Sequence, residues 1–146
     1  ISIPTSSRTV ALAPPARQND RERRRFFDGF QTRFPELALR WGNTFARWRD
    51  VPGTELVGSH YITNHSIGVC VRGQRGVPCI ETAAQLPAFS LELGLEAPLG
   101  RPDFPFVTAL PLDTLEEANW APNYDWLFRT GDRYTQVLAR IVGGLD

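Results

Sequence analysis

The chain contains no lysine and no methionine, and it has only two cysteines and two histidines. All sixteen basic residues are arginine, and they balance sixteen acids, so the net charge is zero. A neutral chain without lysine is a poor general phosphate binder, because nucleic-acid affinity comes mainly from neutralised phosphates. No nucleic-acid partner is expected. No apolar run approaches the ~20 residues that a membrane-spanning helix needs. Glycine-rich phosphate loops, nucleophile elbows and HExxH pairs are absent from the sequence, so no cofactor is expected.

The lysine-free composition has two readings. One is a GC-rich genome, which favours arginine, alanine, glycine and proline codons. The other is selection against lysine modification, as in an effector that enters a host cytosol. A chain that starts at Ile1 without methionine reads as processed or trimmed, which fits an exported protein, periplasmic or extracellular.

What is present is of globular type, with 42% hydrophobic and 22% charged residues in 146. The zero net charge hides a gradient. Arg17 to Arg49 carries nine arginines and four acids, net +5; Asp50 to Phe128 carries three arginines and ten acids, net −7.

Residues 1–19 read as an extended arm, because Pro4, Pro14 and Pro15 oppose a helix. Residues 20–146 read as one α+β domain. Asn19 or Asp20 can cap a first helix over 20–33, with Phe26, Phe30 and Phe34 along one face. Leu37, Trp41, Phe45 and Trp48 continue that stripe at steps of four, four and three, which predicts a second helix over 35–49.

The periodicity then changes to alternation. Thr54 to Ile62 places Leu56, Gly58, His60 and Ile62 on one face of a strand. Ile67, Val69 and Val71 mark another strand, and further ones are expected over 77–81, 89–95 and 106–110. Asp113 to Glu116 matches a capping box before a short helix. A last helix is predicted over 124–142 or 132–142 and stops at Gly143 and Gly144. The expected architecture is a mainly antiparallel sheet, with an N-terminal helix pair and a C-terminal helix packed on one face.

Both histidines and both cysteines fall between His60 and Cys79, which leaves several chemistries open. A hairpin with a Gln74-Arg75 loop would set Cys70 opposite Cys79. Their Cα atoms would then lie about 4.5 Å apart, within disulfide range. Pro78, opposite Val71, disfavours that register because it has no N–H to donate. A zinc site has the right ligand types, but its spacing fits no common finger, so no metal is expected. A small secreted hydrolase or toxin-like effector would use His60 or His65 to activate Cys70.

The crowding of Arg21, Arg24 and Arg25 at a helix N-terminus works against the helix dipole and suits an acidic partner. The link from Trp120 through Tyr124 to Trp126 mixes rings with Asn and Asp, as protein interfaces and sugar sites do. The sequence therefore points first to a non-enzymatic recognition domain. It would bind a protein partner through Arg21, Arg24, Arg25, Trp120, Tyr124 and Trp126. Carbohydrate binding through those aromatics is a third reading.

Overall fold

The computed structural model describes residues 18–74, 92 and 106–144. The expected strands at 77–81 and 89–95 and nearly all of the N-terminal arm lie outside the described residues. Those described form a five-stranded antiparallel sheet and two α-helices, an α+β architecture.

Helix α1 spans Asp20–Arg33. Its start is a complete capping box. The Asn19 side chain accepts from the Glu22 N–H at 2.8 Å, and Glu22 accepts in return from the Asn19 N–H at 3.2 Å. Phe26, Phe27 and Phe30 make its buried face. The helix ends where the Phe34 N–H reaches the Phe30 carbonyl, one residue before Pro35.

The expected second helix over 35–49 does not form, so there is no N-terminal helix pair. The segment is instead a hairpin of β1 (Arg40–Asn43) and β2 (Ala46–Asp50). The Asn43 side chain captures the Phe45 N–H at 2.8 Å and so turns the chain after β1. Gly42, which would weaken a helix, leaves room for the Trp48 indole to lie across β1; any Cβ there would overlap that ring. The stripe at steps of three and four is therefore divided between two strands and a turn.

β3 (Leu56–Ile62), β4 (Ser66–Gly73) and β5 (Val107–Pro111) complete the sheet, and among the described strands each lies beside the next in chain order. Gly53, at φ 77°, occupies the left-handed conformation needed in the turn from β2 to β3. After β5, Asp113 does not open a capped helix. Its side chain accepts from the Leu115 N–H, and Thr114 is buried with its hydroxyl donating to the Thr63 carbonyl. Two single 3₁₀ turns follow, Glu117–Asn119 and Ala121–Asn123. Helix α2 then runs over Tyr124–Ile141.

Pairing register sorts the strands into two faces. Leu56, His60, Ile62, Ile67, Val69 and Val71 face the two helices and join Phe26, Phe30, Tyr124, Leu127, Tyr134 and Leu138 in the main core. The other face carries a smaller cluster of Ala46, Trp48 and Val57, with Tyr61 packed against it.

Removing the Asn19 cap leaves an orphan N–H at the start of α1. Asn19→Ala is expected to cost about 1 kcal/mol, read as a lower urea midpoint at unchanged m-value.

Candidate functional site

Alternation along the strands separates the residues that looked catalytic. Register sets His60 opposite Val69 and Ser59 opposite Cys70, so the imidazole and the thiol project from opposite faces of one sheet. His65 lies exposed in the turn between β3 and β4, five residues along the chain from Cys70. His60, His65 and Cys70 are not brought together, and neither a Cys–His pair nor a shared zinc site is assembled from them. Among the described residues there is no cluster of three or more potential metal ligands.

His60 is fully buried beneath α2. Its ring lies 5.9 Å from that of Phe30, and α2 passes over it at Gly131, where any Cβ would overlap Nε2. Burial lowers its pKa from 6.5 to about 4, assisted by the nearby Arg49 charge. The backbone of Gly58 and Arg47 pulls weakly the other way. Neither ring nitrogen has a partner at ordinary hydrogen-bond geometry.

Cys70 is a buried residue of β4. Cys79 lies outside the described residues. The expected hairpin register is not the one formed, because Ser59 of β3 and Val107 of β5 already flank Cys70. Among the described residues there is no disulfide.

The thiol lies instead on the wall of a cavity of about 430 Å³ on the face away from the helices. Ser59, Tyr61, Arg72, Ala46 and Phe45 line it as well. Burial raises the Tyr61 pKa, with a further contribution from Cys70. Its ring lies over Gly68, where a side chain would collide with the phenol.

The aromatic link is largely core. Trp120 is buried, donates from Nε1 to the Thr114 carbonyl at 2.8 Å, and meets Phe26 edge-on. Tyr124 is buried and donates to the Phe26 carbonyl at 2.8 Å. Burial, Glu117 and Asp28 push its pKa up to about 12. Trp126 is partly buried against the same core. Trp120 and Tyr124 join α1 to the start of α2.

The arginines do reach the surface. Arg21 and Arg24 are exposed. Arg25 is exposed too, but it pairs with Glu117 and lies over Trp120. The sequence reading missed the neighbouring hairpin. Trp41 is 57% exposed and Phe45 48%, the exposed large hydrophobic residues among those described. Arg47 stands directly opposite Trp41 across the hairpin and stacks on Phe27 at 4.6 Å. Arg23 stacks on Phe45 at 4.2 Å. Burial lowers the Arg47 pKa; Asp28 pulls it back up, and the like charge of Arg24 adds a smaller lowering. Reading 35–49 as helix put Trp41 and Phe45 on one stripe with Leu37 and Trp48; alternation within 46–49 was the available signal for a strand.

No family model, curated protein or solved structure matches the chain.

Two outcomes follow for His60. Its folded pKa is below its unfolded one, so the unfolded chain takes up the proton first. The associated stability is complete above pH 6.5 and is lost as the pH falls toward 4, by about 3 kcal/mol at full extent. Urea unfolding at pH 7 and pH 4.5 should show this loss in the parent and a smaller one in His60→Gln. Gly131→Ala should destabilise by about 1–3 kcal/mol through overpacking. Adding His60→Ala should recover part of that cost, and a double-mutant cycle measures the coupling.

Proposed function

We propose that this domain is a recognition module for an acidic protein segment, and that it docks through α1 and the β1–β2 hairpin. One juxtaposition carries the reading. The exposed Trp41 and Phe45 are flanked by arginines: Arg47 stands directly opposite Trp41, Arg23 stacks on Phe45, and the Arg24 charge is also felt at Arg47. A partner carboxylate reaching Arg24 and Arg47 would add to the offset that Asp28 already supplies, and an apolar neighbour would cover the two rings. Tryptophan and arginine are the residues that most often dominate binding energy at interfaces. Arg21, one helical turn from Arg24 and Arg25, extends the basic side of the surface. The contact set is therefore Arg21, Arg24, Arg47, Trp41 and Phe45. It keeps Arg21 and Arg24 of the arginine turn read from the sequence, leaves out Arg25, which pairs with Glu117, and exchanges Trp120, Tyr124 and Trp126 for the hairpin rings.

A fluorescein-labelled peptide that alternates glutamate with leucine and phenylalanine is a suitable probe. Its anisotropy should show saturable binding that weakens as salt rises. Arg24→Glu and Trp41→Ala should each weaken binding by about tenfold or more. Arg129→Glu, at an exposed position on α2, should leave it nearly unchanged. Equal losses in Arg24→Glu and Arg129→Glu would mean general charge attraction. An unaffected Trp41→Ala would remove the hairpin from the site.

A further inference from the structure

The cavity on the open face of the sheet is separate from the proposed docking contacts, apart from Phe45 at its edge. Its volume of about 430 Å³ falls within the range of small-molecule sites. The composition of its wall is also of that kind. Ala46 and Val107 supply apolar surface, and a few polar groups converge on it. The hydroxyl-bearing Ser59 is buried, and Tyr61 is half-buried.

Arg72 is the one charged residue among the described lining residues. Its guanidinium stacks on the Trp48 indole at 4.9 Å, which fixes the plane of its donors. A guanidinium carries five N–H donors, so an existing partner still leaves donors for a ligand. No described aspartate or glutamate lines the wall to compete for it.

We infer that this cavity binds a small organic monocarboxylate, with its apolar body against Ala46 and Val107 and its carboxylate on Arg72. Ser59 and Tyr61 supply further hydrogen-bond donors. Cys70 reports occupancy, since its thiol is on the same wall.

The experiment uses the whole chain with 3-phenylpropionate as the probe, and with acetate and 3-phenylpropanol as the anion-only and apolar-only counterparts. Alkylation of Cys70 by N-ethylmaleimide is followed peptide by peptide by mass spectrometry, which counts Cys79 separately. Calorimetry measures binding in parallel without use of the thiol. Millimolar 3-phenylpropionate should slow Cys70 alkylation by roughly tenfold and give a saturable heat, whereas neither counterpart does so at equal concentration. Arg72→Gln should lose that protection. Ala46→Val keeps the charge but narrows the cavity, so it should also weaken binding if Arg72→Gln does not fold. Equal protection by 3-phenylpropanol would overturn the role of Arg72, and equal protection by acetate would overturn the apolar body. Wild-type protein with neither protection nor heat would overturn the site.

Discussion

Helix α1 depends on its contact with the segment that leads into α2. At fourteen residues it is near the length below which an isolated helix is marginal in water. Its stability must come from the apolar face it buries. Phe26 meets Trp120 at 5.5 Å and Tyr124 at 5.3 Å, and Phe30 meets Tyr124 at 5.7 Å. Gly29 leaves the space that the Tyr124 hydroxyl needs on its way to the Phe26 carbonyl. Ion pairs from Arg25 to Glu117 and from Arg33 to Asp125 lie at the edges of this contact. Such exposed pairs add little energy, so the rings carry the joint.

The joint also determines what each face of the sheet can do. With both helices on one face, the residues beneath them are sealed, and His60 is sealed with them. The thiol, the phenol and Arg72 lie on the other side, where a cavity remains. Chemistry that needs His60 and Cys70 together is ruled out by strand parity.

Much of this was legible in the chain itself. Phenylalanines four apart and an asparagine before a charged turn marked α1, and alternation marked β3, β4 and β5. The spacing of Tyr134, Val137, Leu138 and Ile141 marked α2. Parity, too, was readable, since His60 falls with Leu56 and Ile62 whereas Cys70 falls between Val69 and Val71. What misled was the segment 35–49. A tight hairpin can space its large residues at three and four, as a helix does, and Gly42, Asn43 and the alternation within 46–49 distinguish the two. The fate of Trp120 and Tyr124 was hidden for a different reason. Their burial depends on rings nearly a hundred residues earlier, a relation that no local pattern encodes.

That separation has a consequence for how the protein is made. The hydroxyl of Tyr124 and the carbonyl of Phe26 are 98 residues apart. At ribosomal speeds of about 5–20 residues per second, α1 emerges roughly 5–20 s before the residues that cover it. During that interval Phe26, Phe27 and Phe30 are apolar surface on a growing chain. The four arginines clustered in the turn just ahead of them then act as solubilising neighbours. The charge crowding that opposes the helix dipole in the finished fold is, on the nascent chain, charge set directly beside uncovered rings.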